Sequence, residues 1–121
     1  MDDSSRSCAT SRPTALDPKT LARADARARI MKALGHPTRL LIVEELARGE
    51  RCVCELHEMV GGDLSTVSKH LARLRNAGLV LVDKRGTMVF YRLRVPCILN
   101  FFDCVDRVMQ ADAEHYRELV S

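Results

Sequence analysis

Apolar residues recur along this chain first at helical spacing, then at strand spacing, then at helical spacing again. From Pro18 onward, Leu21, Ala24, Ala28, Met31 and Leu34 follow a 3.6-residue period, with Arg23, Asp25, Arg27 and Arg29 between them. Gly35 predicts a stop. His36-Pro37-Thr38 predicts a new start, because proline is tolerated in a first helical turn, where its missing N–H is not needed. Leu40, Val43 and Leu46 give this second helix a core face, and Gly49 ends it. A short helix is expected from about Cys52 to Val60, followed by a tight turn at Gly61-Gly62-Asp63. Asp63 or Ser65 can cap the next helix, which runs to about Asn76-Ala77 with Gly78 as its left-handed terminator. Its apolar stripe is Leu64, Val67, Leu71 and Leu74. Ser65, Thr66, Ser68, Lys69, Ala72 and Arg73 lie off that stripe and can face outward.

The period then drops to two. Leu79–Val82 and Met88–Leu93 read as strands joined by Asp83-Lys84-Arg85-Gly86-Thr87, a hairpin with a basic tip. Pro96 opens a last helix, about 96–119, which would be about 36 Å long at 1.5 Å per residue. Ile98, Phe101, Val105 and Val108 line one side of it; Leu99, Phe102 and Met109 widen that face. So broad an apolar arc needs more cover than one small domain offers, which predicts a second copy. The expected fold is therefore mostly α with a small β-hairpin wing: a dimeric winged helix-turn-helix of order α-α-α-α-β-β-α.

Length adds little to this picture, since 121 residues make one domain. Residues 1–18 are rich in Ser, Thr, Pro and Asp and read as a flexible arm; 19–121 read as the folded domain. Nineteen basic against sixteen acidic residues give a formal charge of +3, too small to identify a nucleic-acid partner by itself. No apolar run is long enough to span a membrane, and the polar start lacks a secretory h-region, so a cytoplasmic location is expected. In that compartment the five cysteines are expected as thiols, and unusual cysteine spacing points to metal or redox chemistry.

Position gives the charge a meaning. Two helices joined by a Gly-rich turn and followed by a basic hairpin match a winged helix-turn-helix, whose second helix lies in the DNA major groove. Ser65, Thr66, Ser68, Lys69, His70 and Arg73 carry the hydroxyl and basic groups that bond base edges and phosphates there. Lys84 and Arg85 would reach the backbone or minor groove from the wing. The alternative for any one of them is an ordinary solvated side chain. The run Ala33-Leu34-Gly35-His36-Pro37-Thr38-Arg39-Leu40 resembles the opening motif of the ArsR/SmtB family of metal-sensing repressors. The run from Ser65 to Val80 is similar to that family's recognition helix and the start of its wing. The resemblance implies a homodimer built from the first and last helices. It also implies repression of an inverted-repeat operator, lifted by an inducer.

Cys52-Val53-Cys54 resembles the family's box for arsenite and antimonite sensors and some cadmium or lead sensors. The chemistry agrees, since thiolates select soft ions and a helix start favours the thiolate; Arg48 and Arg51 are placed to push the same way. Residues two apart on a helix point to different sides, so both thiols can grip one ion only if the first turn unwinds or tilts. The expected inducer is As(III) or Sb(III), with Cd(II), Pb(II) or Zn(II) as alternatives. Where such sensors often have a third cysteine, this chain has His57; Cys8 on the arm is the other candidate third ligand. Cys97 and Cys104, seven apart on the last helix, are expected to pack rather than bind. His115-x-x-Glu118 matches half of the zinc site that relatives build there, but Phe102 and Cys104 occupy the positions of the other half. Neither a C-x-x-C redox unit nor a paired acid–base site is present, so no enzyme is expected; a thiol redox switch on the same scaffold remains the rival regulator.

Overall fold

A computed structural model describes residues 16–120. The chain runs α1 (Pro18–Leu34), α2 (Pro37–Arg48), β1 (Arg51–Cys52), α3 (Val53–Val60), α4 (Leu64–Asn76), β2 (Val80–Arg85), β3 (Met88–Leu93) and α5 (Ile98–Val120). This is the expected winged helix-turn-helix with one addition. The two-residue strand β1 joins the hairpin to make an antiparallel sheet of order β1-β3-β2, with Arg51 opposite Tyr91 and Cys52 opposite Phe90. A strand that short carries no periodicity of its own, and only β3 in space defines it.

Local chemistry explains the boundaries. Asp17 caps α1, its carboxylate accepting the Thr20 N–H at 2.7 Å. His36 caps α2 through Nδ1, which accepts the Thr38 N–H at 3.1 Å, so a ring nitrogen does the work usually done by a hydroxyl. Asp63 stands at the start of α4, its backbone carbonyl accepting from Thr66 and Val67. Gly61 and Gly62 have φ of +79° and +73°, with open space where a Cβ would sit. It is therefore backbone conformation, not crowding, that requires glycine at both places in the turn between α3 and α4. Gly78, at φ +81°, ends α4 as expected.

One core holds these elements. Ile42, Val43 and Leu46 of α2 meet Leu56 of α3, Val67, Leu71 and Leu74 of α4, Leu79 just before β2, and Val80 and Leu93 of the sheet. Expectation and structure part on the outer helices. Leu40 and Leu64 lie at the surface, Ile42 replacing the first of them in the core. From the predicted face of α1 only Leu34 is buried, while Leu21 and Met31 are exposed. Helix α5 has no buried residue at all; Ile98, Leu99 and Phe102 rest against the core, and from there Val108, Met109, Tyr116 and Leu119 project into solvent. No helix among the described residues is long and apolar enough to cross a membrane.

Candidate nucleic-acid interface and thiol site

Helix α4 is anchored by Val67, Leu71 and Leu74, all fully buried. That anchorage leaves Ser65, Thr66, Ser68, Lys69 and Arg73 exposed, as the periodicity predicts. His70 differs. It is half-buried, its Nδ1 lies 3.1 Å from Arg39 Nη1, and its ring sits 4.4 Å from that of His36. Arginine only donates, so His70 Nδ1 accepts and the ring proton of the neutral form is on Nε2. Burial, then the neighbouring His36, Arg39 and Arg73, hold the His70 imidazole below its ordinary value. Arg39 also donates from Nε to the Ala33 carbonyl at 2.6 Å. It thereby ties the end of α1 to the middle of α4. His70 is thus part of a fastening under the reading helix rather than of its outer face.

The wing divides its two basic residues. The hairpin turn is only Gly86-Thr87, because Arg85 pairs with Met88, so Asp83, Lys84 and Arg85 belong to β2 rather than to a loop. Lys84 is exposed. Arg85 is occupied: its guanidinium bonds Glu50 at 2.7 Å and Asp83 at 3.0 Å, and lies 4.5 Å above the Phe90 ring. Those two carboxylates raise its value further. In the single chain Arg85 therefore buttresses the wing against the loop before β1, whereas Lys84 is held by no such pair among the described residues. The residue Glu50 carried no signal in sequence, since its partner is 35 positions away.

Cys52 and Cys54 occupy unequal places. Cys52 is the last residue of β1 and the cap residue of α3; it is 6% exposed. Cys54, two residues on, is exposed. Glu55 closes a capping box, its carboxylate accepting the Cys52 N–H at 2.9 Å. That N–H first, and the Cys52 thiol second, hold the Glu55 carboxyl below the usual carboxylate range. The arginines expected to favour a thiolate are engaged elsewhere. Arg51 Nε bonds Glu45 at 2.9 Å, and Arg48 lies 4.0 Å from the same carboxylate. His57 Nε2 donates to the Gly62 carbonyl at 2.8 Å, bracing the turn and leaving Nδ1 open. Cys8 lies outside the described residues. Cys97 and Cys104 are outside the core and exposed in the single chain, which leaves a place for them only at an interface. Among the described residues, no three or more His, Cys, Asp or Glu side chains are gathered closely enough to hold a metal ion.

Comparison with known proteins matches residues 36–81 to the family model described as bacterial regulatory protein, arsR family. An HTH-type transcriptional regulator of Methanocaldococcus jannaschii is 41% identical over 80 residues, which are 63% of this chain and 90% of that one. The arsenic resistance transcriptional regulator ArsR1 of Pseudomonas putida is 40% identical over 65 residues, 53% of this chain; the chain spans about half of ArsR1, 51%. Among solved structures, the homodimeric winged helix-turn-helix DNA-binding domain of a possible ArsR-family regulator from Mycobacterium bovis superimposes with a TM-score of 0.70. It is 33% identical, and the match covers 85% of this chain and 95% of that domain.

Proposed function

Because the chain belongs to the ArsR family of bacterial transcription regulators, we propose that it is a homodimeric repressor released from its operator when arsenite or antimonite binds Cys52 and Cys54. The family relatives are DNA-binding regulators and not enzymes. Two copies would place two α4 helices about one helical turn apart on an inverted repeat. Ser65, Thr66, Ser68, Lys69 and Arg73 would meet bases and phosphates, and Lys84 the backbone beyond. The dimer reading rests on α5, whose apolar residues from Phe101 to Val120 are exposed along its length, and on Met31 and Leu40 beside it. An isologous contact through α1 and α5 would cover them.

The observation that carries the sensing reading is the double duty of Cys52. It is at once the end of β1, the cap of α3 and, with Glu55, half of a capping box. Two thiolates suit a soft ion. To use Cys52, the ion must draw it out of the core and take away the S–H that Glu55 accepts. The thiol proton leaves with a hydroxide of arsenite as water, the sulfur becomes arsenic-bound, and Glu55 loses one of the two Cys52 donors that hold its carboxylate, so the box opens and the first turn of α3 loosens. Helix α3 packs directly on α4 through Leu56. Ion and DNA then favour different placements of α4, which is the condition for allosteric release. A coupling of about 1–3 kcal/mol would lower operator affinity roughly 5–150-fold. A three-coordinate site takes its third donor from Cys8 or from His57 Nδ1; a third thiolate suits arsenic better.

The test is release of the full-length protein from a duplex selected out of a random pool, followed by fluorescence anisotropy under strong reductant. Arsenite should release the wild type. Cys54→Ser and Cys52→Ser should bind DNA normally and fail to respond; serine is itself a good cap residue, so α3 should still form. Cys8→Ser should weaken the arsenite response and His57→Ala should not. Response to cadmium, lead or zinc alone would move the inducer, and release by oxidant alone would make the site a redox switch. Full arsenite release of the Cys52→Ser/Cys54→Ser protein would falsify the assignment.

A further inference from the structure

A basic concavity lies between α1 and α4, away from Cys52 and Cys54 and on a different side of α1 from the apolar groove shared with α5. It is a groove of about 550 Å³ with Arg29 and Lys32 on the α1 side and Lys69 and Arg73 on the α4 side. Ala33 and Ala72 line it as well, and such short side chains let a bulky group come close to both helices. Helical spacing builds it: Arg29, Lys32 and Ala33 share one side of α1, while Lys69, Ala72, Arg73 and Asn76 share one side of α4. Met31 and Leu34 lie on a different side of α1 and line a second groove, an apolar one shared with α5. All four cations are exposed. Among the described residues no carboxylate lines the groove and none forms an ion pair with any of the four. Arg85 of the wing, by contrast, is paired with Glu50 and Asp83. Four unpaired cations around one concavity sum to a positive potential that draws an anion to it.

We propose that this groove seats a phosphodiester group of the bound duplex, so that Arg29 and Lys32 of α1 are DNA-backbone contacts in addition to the reading helix. The inference rests on the DNA-binding reading above. Continuity favours the duplex as occupant: Lys69 and Arg73 form the groove wall and also lie in the exposed stripe of α4 that begins at Ser65. A strand running along the edge of the major groove beside α4 meets α1 next. Phosphate contacts position a protein without reading sequence. The seat therefore adds affinity and leaves sequence preference unchanged. Arg39 holds the two walls together, bonding the Ala33 carbonyl on one side and His70 on the other.

The experiment uses the full-length protein, the selected duplex and a scrambled duplex, with affinity followed against salt. Each phosphate contact contributes about 0.9 to the slope of log affinity against log salt. One seat in each of two protomers predicts that Arg29→Gln/Lys32→Gln makes the slope shallower by roughly 1.8, equivalent to on the order of 30-fold weaker binding at about 0.15 M salt. The loss should be the same on both duplexes. The charge-preserving Arg29→Lys/Lys32→Arg protein should keep the wild-type slope, and both variants should unfold at the wild-type midpoint because both residues are exposed. An unchanged slope in the folded glutamine variant overturns the proposal. So does tight binding of inorganic phosphate by the DNA-free protein, dependent on Arg29 and Lys32, with no effect on the DNA slope; the seat would then serve a free anion. Failure of the wild type to bind any duplex would instead remove the DNA-binding reading itself.

Discussion

Replacing Arg39 by alanine should cost more than any exposed charge of this protein normally does. The guanidinium makes two short bonds, Nε to the Ala33 carbonyl at 2.6 Å and Nη1 to His70 Nδ1 at 3.1 Å, with a longer one to the Lys32 carbonyl at 3.4 Å. Hydrogen bonds to a charged group contribute about 1.5–3 kcal/mol when shielded, and Arg39 is half-buried. Taking the lower end for each short bond gives a loss of about 2–3 kcal/mol. Against a urea dependence of about 2 kcal/mol/M, the unfolding midpoint should fall by roughly 1–1.5 M at fixed protein concentration and unchanged slope. The pH dependence gives an independent reading. His70 in the folded protein holds its proton less tightly than a free imidazole, through burial first and the His36, Arg39 and Arg73 charges next. The unfolded chain therefore binds the extra proton more readily. This contribution to stability is complete above the ordinary imidazole value of about 6.5 and declines as pH falls below it. Removing Arg39 removes one of the lesser causes and leaves burial, the largest, in place, so the decline should become shallower without disappearing. DNA affinity should fall as well, since α4 loses its tie to α1. A midpoint shift under about 0.3 M, or a wild type that gains stability below pH 6, would refute the fastening.

Two further outcomes separate neighbouring residues that look equivalent in sequence. Met109→Glu should yield a folded monomer in sedimentation and abolish operator binding, because Met109 is 62% exposed in the single chain and lies outside its core; a charge at Phe102 should also harm the fold, since that ring rests on the core. Lys84→Ala should weaken binding to all duplexes alike, whereas Arg85→Ala should act mainly on stability, with a small fall in the urea unfolding midpoint.

Most of the fold was legible in the sequence because each helix carries a period and a stop signal of its own. Val67, Leu71 and Leu74 alone orient α4, and with it the exposed hydroxyls and cations. Gly61-Gly62 and Gly78 bound that helix through backbone preferences that act within a few residues. What local pattern does not carry involves partners far along the chain. The pairing of Arg85 is invisible because Glu50 is remote in sequence, and the partial burial of His70 because Arg39 and His36 are some thirty positions away. Leu21, Met31 and the length of α5 were rightly marked as apolar faces, yet nothing in their period says what covers them.

The thiol pair shows the same division. Two cysteines with one residue between them, at the predicted start of a helix, offer two soft donors by composition and spacing alone. Their inequality does not follow from spacing. Cys52 is buried because a two-residue strand pairs it with Phe90, and Cys54 is exposed because the helix has already begun to turn away. Likewise the four cations between α1 and α4 belong to two separate helical periods, and only the packing of one helix against the other brings them into a single groove. Periodicity is a property of one element and is written in consecutive residues; juxtaposition is a property of two, and it exists only once the core has closed between them.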